Sequence, residues 1–301
     1  MISVLIPIYN HNVLSLVSAL QKQFKKAKVE FEIILLDDAS EQQYRYKNAK
    51  LDFEEGVTYL QNLFNVGRAK VRNILASKAH FPYILFIDCD AAMADDDYIA
   101  SYVAEIEKHK EESEFIINGG ILYRDKKPKE NRYLRWYYGR HREQLSAEVR
   151  NKNPYALFTP FNVLMTRTLF PKYEFDESFE TYGNEDTILG YALKSANIPV
   201  YHIDNGLYHE GLDTNKQYVQ KVEQAIENLV SFVHSDNPIV PDLYQDVKLL
   251  KAFNISKKYH CEALLQRLYR RQGERMKDRL TKSPSLFWLD MYKLAYLSTR
   301  I

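Results

Sequence analysis

Residues 81–93 read FPYILFIDCDAAM, an apolar run that ends in two carboxylates, Asp88 and Asp90, with one residue between them. A buried strand gains nothing from ending in like charges, because neighbouring carboxylates destabilise each other unless a cation neutralises them. The stretch predicts a buried strand over 83–88 whose end holds something positive. Carboxylates two apart at a strand end share a face, with Cys89 turned to the other. Oxygen ligands of this kind select hard ions, Mg²⁺ or Mn²⁺. The competing reading is a solvated loop whose acids cap a helix, since ADDD follows at 94–97.

The segments around it repeat one pattern. SVLIPIYN (3–10), FEIILLDD (31–38) and GVTYLQN (56–62) are short Val/Ile/Leu-rich runs that read as buried strands. Between them Val13, Leu16, Val17, Leu20 and Phe24 recur at helical spacing, and a second helical pattern follows Gly67 through Val71, Ile74 and Leu75. Strands alternating with helices define an α/β fold with a mostly parallel sheet flanked by helices. Ligands of such sheets bind beyond the carboxyl ends of the strands. Tyr9–Asn10, Asp37–Asp38 and Asp88–Asp90 are therefore expected on one rim.

Composition narrows the classes. The chain has 301 residues, 46% hydrophobic and 27% charged, ample for a sizeable core. A net charge of +1 offers no global basic field, so nucleic acid is not an expected partner. Two cysteines, Cys89 and Cys261, are too few for a disulfide framework or a cysteine zinc site. The 23 tyrosines suit stacking on rings and bonding to hydroxyls, or half-buried surface. The first strand starts near the first residue and no run of about 18 apolar residues appears, so a cytoplasmic protein is the default expectation.

The later chain is less regular. Residues 116–123 and FTPFNVLMTRTLF (158–170) read as strands, and PVYHID (199–204) as a short one. Residues 124–142 carry eight Lys/Arg against two Asp/Glu, interleaved with four aromatics. A helix is expected from about Glu185. From Asn215 a stripe through Val219, Val222, Ile226, Leu229 and Val233 marks a helix, and helical patterns continue to the end with a break at Pro284. The expected division is 1–214 for the α/β domain and 215–301 for a C-terminal helical region.

VLIPIYN, LLDDAS, NVGRAKVRN and FIDCDAAM, in this order and followed by FDESFETYGNEDTILGYAL and LYHEG, resemble the family 2 inverting nucleotide-sugar glycosyltransferases of GT-A fold. The last two motifs look like those of galactosyl- and N-acetylgalactosaminyl-transferases, and the likeness spans about residues 2–213. The resemblance implies a UDP-sugar donor and a Mn²⁺ or Mg²⁺ ion. Pro7, Tyr9, Asn10, Asp38, Asn65, Gly67, Arg72 and Asp88 would face the nucleotide sugar, with Asp38 reading uracil and Tyr9 stacking near it. Asp90 and His209 would bind the metal, with Asp88 facing the ribose or a metal-bound water. His202 is the rival histidine, and Asp37 is expected in a turn with Ser40.

Glu185 and Asp186 begin a helix, where acids are favoured by its dipole alone. The family reading makes Asp186 the base that takes the acceptor proton and Glu185 a contact to sugar hydroxyls. The acceptor implied is a glycan or lipid-linked glycan in surface polysaccharide synthesis. The basic segment 124–142 is then a candidate acceptor wall, with Tyr133, Trp136 and Tyr137 as stacking rings. The tail, with twelve Lys/Arg and four Asp/Glu over 251–301 and with Phe287, Trp288, Tyr292 and Tyr296, is a candidate for peripheral contact with the inner membrane face or for simple packing. The alternatives in function are a sugar nucleotidyltransferase, disfavoured because no Gly-rich loop follows the first strand, and a non-catalytic nucleotide-sugar-binding module.

Overall fold

The computed structural model describes residues 1–179 and 181–301; Glu180, inside the FDESFETYGNEDTILGYAL stretch, lies outside the described residues. The strands are β1 (Ile2–Ile8), β2 (Phe31–Asp37), β3 (Val57–Gln61), β4 (Tyr83–Ile87), β5 (Ala91–Ala92), β6 (Ile116–Asn118), β7 (Ile121–Leu122), β8 (Asn162–Thr166), β9 (Val200–His202) and β10 (Leu207–His209). The helices are α1 (Leu14–Ala27), α2 (Gln42–Asn48), α3 (Arg68–Ser77), α4 (Tyr98–Lys108), α5 (Tyr133–Tyr138), α6 (Ala147–Arg150), α7 (Glu185–Ser195), α8 (Asn215–Val233), α9 (Val240–Asp246), α10 (Lys248–Lys258), α11 (Glu262–Lys282) and α12 (Leu286–Leu297). The chain forms two compact units. One comprises Met1–Tyr123, Gln144–Glu180 and Glu185–Gly211; the other comprises Arg124–Glu143, Thr181–Asn184 and Leu212–Ile301.

In the first unit seven strands form one sheet in the order β3-β2-β1-β4-β8-β6-β9. All neighbours are parallel except at β8, which runs antiparallel to both β4 and β6. The period-2 alternation of side chains sorts the core into two layers. Val4, Ile6, Ile33, Leu35, Leu85 and Ile87 pack with α1 and α4 through Val17, Leu20, Phe24, Ile99 and Tyr102. Leu5, Ile34, Leu36, Ile84 and Phe86 pack on the opposite face with α3 and α7 through Val71, Leu75, Leu189 and Leu193. Pro7 sits inside β1 without breaking it. Ile2 donates its N–H toward the β2 side, so odd positions of β1 face β4, and pairing with β4 ends at Leu5.

The expected strand over 116–123 is two strands in different sheets. Gly119 and Gly120 break it, and β7 joins β5 and β10 in a small sheet of order β5-β10-β7. Gly120 has φ +91°, and a Cβ on Gly119 would lie 2.5 Å from both Asn162 Nδ2 and Tyr102 Oη. The chain needs two glycines there because Asn162 occupies the corner. Its Oδ1 accepts from Tyr98 and Tyr102 hydroxyls at 2.7 Å each, and its Nδ2 donates to the Gly120 and Asn205 carbonyls. Arg150, 4% exposed, works beside it, donating to the carbonyls of Leu145, Asn118 and Ile203 and to His202 Nδ1.

The second unit is helical apart from its connecting turns. α8 opens with a capping box in which Thr214 and Gln217 bond reciprocally. Of the two readings of the tail aromatics, the rings take the packing one. Tyr292 and Tyr296 are buried, with hydroxyls on Glu223 and Glu227 of α8, and Arg279 lies 4.4 Å over the Trp288 ring. These rings fill the packing between helices, and of the four only Phe287 is exposed. Trp136 is likewise buried, its Nε1 donating to the Arg124 carbonyl, so it presents no stacking face; Tyr133 and Tyr137 stack on each other at 5.3 Å.

Asn162→Ala should leave two tyrosine hydroxyls and two carbonyls without their partner. Stability measured by urea unfolding is expected to fall by about 3 kcal/mol; a loss within error of zero would show that the corner does not hold the two sheets together.

Candidate active site

The period of β4 decides the first feature. Ile84 and Phe86 face α3 and α7, and Asp88 follows with the same parity, while Cys89 packs on the opposite layer. Burial pushes the Cys89 thiol up to about 12, so it stays neutral and is core filling. From α3 the Arg72 guanidinium, 2% exposed, reaches Asp88 Oδ1 at 2.8 Å with Nη2 and stands 3.5 Å from Glu185 Oε1 of α7 with Nη1. Phe175 supports it, with the guanidinium carbon 5.3 Å from the ring centre. One buried cation thus joins the two carboxylate motifs. The sequence reading placed Arg72 beside the nucleotide; the structure places it as a clamp between Asp88 and Glu185. Arg72 Nε and Nη1 and Glu185 Oε2 are buried with no hydrogen-bond partner among the described residues. Such atoms in a native fold call for a ligand or water.

Asp88 and Asp90 do not share a face as strand residues. β4 ends at Ile87, and Ala91 N donates to the Asp88 carbonyl at 3.1 Å, so the two aspartates lie in a tight turn and diverge. Asp90 meets His209 instead. β5 and β10 pair antiparallel with Ala91 opposite His209, Glu210 N donates to the Asp90 carbonyl, and His209 Nε2 lies 3.4 Å from Asp90 Oδ2. Tyr123 and Phe161 flank the imidazole at 5.6 and 5.5 Å between ring centres. Gly211 closes the cradle: a Cβ there would stand 1.9 Å from Asp90 Oδ2.

Among the described residues no group of three or more His, Cys, Asp or Glu is arranged to hold a metal ion. Asp90 and His209 form a pair, and Asp88, expected with them, is engaged by Arg72. A carboxylate oxygen beside an imidazole nitrogen, in a cradle kept open by a glycine, fits a divalent ion that takes its remaining ligands from substrate phosphates and water. His202 offers nothing comparable. Its Nε2 donates to the Pro154 carbonyl and its Nδ1 accepts from Arg150, both at 2.9 Å, and burial pulls its pKa down to about 4.

The residues expected to face the nucleotide gather at the ends of β1, β2 and β3. Asp37 makes the expected turn, accepting from Ser40 N at 2.7 Å, and also takes the Tyr59 hydroxyl. Asp38 is 5% exposed and accepts from Asn62 Nδ2, Val66 N and Gly67 N at 2.8, 2.9 and 3.1 Å, while Asn65 donates to its carbonyl. It fastens the loop from β3 to α3, which leaves a carboxylate with about one free acceptor site for a ligand N–H. Gly67, at φ +89°, starts α3 with backbone that other residues resist. Asn10, at φ 51°, bonds through its N–H to Ser40 Oγ and through Oδ1 to Glu41 N, and Tyr9 beside it is 56% exposed.

Asp186 differs from the other acids. Burial first, and then the adjacent Glu185 carboxylate, push its pKa up to about 7, against opposing help from the Thr187 N–H and Arg72. A carboxyl tuned to that range is suited to accept a proton near neutral pH. Sequence reasoning missed Gly211, Asn162 and Arg150. The Gly119–Gly120 pair was the one local signal that a strand had to break there.

A mostly parallel sheet thus carries an acidic turn at its strand ends, joined through one arginine to a second acidic pair. The chain belongs to glycosyl transferase family 2: the family model matches residues 3–173, more than half of it. It is 25% identical over 232 residues to chondroitin synthase of Escherichia coli, covering 64% of this chain and 32% of that protein, so it spans about a third of that relative's length. Among solved structures, S. aureus TarS 1-349 in complex with UDP-GlcNAc matches with a TM-score of 0.53 at 17% identity, covering 99% of this chain and 91% of that one. The mannosyltransferase PcManGT from Pyrobaculum calidifontis, in complex with GDP-Man and Mn²⁺, matches with a TM-score of 0.58 at 14% identity, covering 99% and 85%. At these identities the structural likeness concerns the fold.

Gly211→Ala should displace the Asp90 carboxylate without unfolding the protein. Turnover is expected to fall by about 10²-fold, with an unchanged unfolding midpoint; near-normal turnover would show that Asp90 need not occupy this position. A second prediction concerns Asp186. Its folded pKa lies above its ordinary value of 3.8, so between about pH 4 and 7 the folded state holds a proton that the unfolded state has lost. Stability is therefore lost as pH rises through that window. Asp186→Asn removes this loss, and its stability gain over the wild type should be larger at pH 8 than at pH 5 in urea unfolding. An equal gain at both would mean that the carboxyl is not raised.

Proposed function

We propose that the chain is a metal-dependent inverting glycosyltransferase that moves a sugar from a UDP-sugar to a hydroxyl of a glycan or lipid-linked glycan, in surface polysaccharide synthesis. Galactose or N-acetylgalactosamine is favoured by the YGNEDT sequence at 182–187. The observation that supports the reading is the Arg72 bridge between Asp88 and Glu185, with the Asp90–His209 pair at the same turn as Asp88, and with Asp186 next to Glu185 in sequence. In this reading the acidic turn lies on the donor side and Asp186 is the carboxyl suited to proton removal. A family relative named as a chondroitin synthase and fold neighbours bound to UDP-GlcNAc and to GDP-Man with Mn²⁺ agree with a nucleotide-sugar donor.

In this reading Tyr9, Asn10, Asp38, Asn65 and Gly67 hold the nucleotide, and Asp38 gives its remaining acceptor site to the imide N–H of uracil. Asp90 and His209 would hold the divalent ion, which when bound supplies positive charge against the diphosphate leaving group. Arg72 holds Asp88 and Glu185 in place, and its unbonded N–H groups and Glu185 Oε2 face sugar hydroxyls. Asp186 takes the proton of the acceptor hydroxyl as that oxygen bonds to the anomeric carbon and the bond to the nucleoside diphosphate breaks. The base lies on the acceptor side, so the configuration inverts and no sugar–enzyme bond forms. A cytoplasmic site of action is part of the proposal, since nucleotide sugars are the donors.

The test is a panel of nucleotide sugars assayed for release of free nucleoside diphosphate, with acceptors profiled on the best donor. Asp186→Asn should bind UDP as the wild type does in calorimetry while turnover falls by roughly 10²–10⁴. Chelation should abolish transfer, and Mn²⁺ should restore it. Transfer by Asp186→Asn at the wild-type rate would remove the base, full activity in excess chelator the metal, and equal affinity for UDP and GDP the reading of uracil.

A further inference from the structure

We propose that the corner where α10 meets α11 is a docking surface for an anionic lipid bilayer. Residues 251–271 hold six Lys/Arg, namely Lys251, Lys257, Lys258, Arg267, Arg270 and Arg271, against one acid, Glu262. None of the six is ion-paired with a carboxylate among the described residues; Lys257 and Lys258 instead lie over the Phe253 and Tyr259 rings. Elsewhere in the helical unit Arg142, Lys221, Lys277, Lys282 and Arg300 each meet a carboxylate.

The helical period arranges these cations with apolar side chains. On α10 the buried positions are Leu250, Phe253 and Ser256, and the outward stripe is Lys251, Ile255 and Lys258, leading to Tyr259. On α11 the buried positions are Leu265, Gly273, Met276 and Leu280, and Leu264, Arg267 and Arg271 form the outward stripe. The turn between the helices is short and closed by Cys261 N donating to the Ser256 carbonyl. Ile255 and Leu264 therefore stand about one helical turn on either side of it, with Tyr259 at the tip. All three are more exposed than core residues of their kind, at 58%, 68% and 66%.

Three apolar side chains projecting from a helix corner, ringed by unpaired cations, match two layers of one partner. The apolar tips enter the boundary between headgroups and acyl chains while the cations meet anionic headgroups. Long, mobile lysines and arginines on a projecting corner suit a fluid charged surface better than a shaped protein partner. The surface lies before the tail aromatics that the sequence first suggested, because Tyr292 and Tyr296 are consumed in helix packing and Lys277 and Lys282 in ion pairs. No helix of the described residues is long and apolar enough to cross a membrane, so the contact proposed is peripheral.

The test is co-sedimentation of the full chain with vesicles of phosphatidylserine mixed with phosphatidylcholine, and with phosphatidylcholine alone, at low and high salt. Binding needs neither donor nor acceptor, so its failure leaves the transfer reading untouched. The wild type should pellet with the anionic vesicles at low salt, and high salt should weaken this by at least roughly tenfold. Lys251→Glu combined with Lys258→Glu and Arg271→Glu should reduce it by tenfold or more, with circular dichroism and donor turnover unchanged. Ile255→Ser with Leu264→Ser should weaken binding severalfold while keeping its salt dependence. The proposal is overturned by no pelleting at low salt, by equal pelleting on neutral vesicles, or by a charge-reversed variant that pellets like the wild type. Retention by a soluble polyanion without vesicle binding would replace the bilayer with an acidic polymer.

Discussion

The site depends on one buried arginine. Arg72 is the buried cation between the part-exposed Asp88 and the buried Glu185, and without it two carboxylates would face each other uncompensated. Breaking a buried pair from one side is costly, on the order of 3–5 kcal/mol, because a charge is left without compensation. The clamp therefore fixes where α7 starts with respect to the end of β4. The positions of Glu185 and Asp186 hang from that placement. Asp186 is the next residue along α7, and the same burial that makes the clamp necessary raises its pKa.

The other half of the site is set by a sheet of three very short strands. Strands of two or three residues have little stability alone. Here they are anchored by Asn162 and Arg150, whose amide and guanidinium satisfy backbone carbonyls around the Gly119–Gly120 break. That anchoring brings β10 beside β5 and so His209 beside Asp90. A polar network with every member bonded specifies one arrangement strongly, since any slip leaves buried groups unpaired. Gly211 completes the logic by keeping side-chain bulk away from the Asp90 oxygen.

Much of the fold was legible because local and global demands agree. The strands β1, β2 and β4 begin and end within a residue or two of their apolar runs, since a central parallel strand must be hydrophobic on both faces. The stripe of Val219 to Val233 became α8 for the corresponding helical reason. The basic segments left two readings open. Trp136, Tyr292 and Tyr296 look like surface aromatics in a cationic stretch, and the sequence holds no mark of the partners that bury them: the Arg124 carbonyl, Glu223 and Glu227. Those partners lie 12 or 69 residues away, and periodicity reports nothing at that range.

By itself the sequence determined the parallel α/β order, the rim on which Tyr9, Asp38, Asp88 and Asp90 stand, and the helix start that carries Glu185 and Asp186. Each follows from a pattern within one strand or one helix. Only the tertiary structure decided that Asp88 and Asp90 part company, one to Arg72 and one to His209, and that Asp38 fastens a loop. It alone decided that burial pushes the pKa of Asp186 toward neutrality. The physical reason is common to all three. A carboxylate's role depends on which charges and donors lie within a few ångströms and how much water remains, and those are set by residues that only folding brings together.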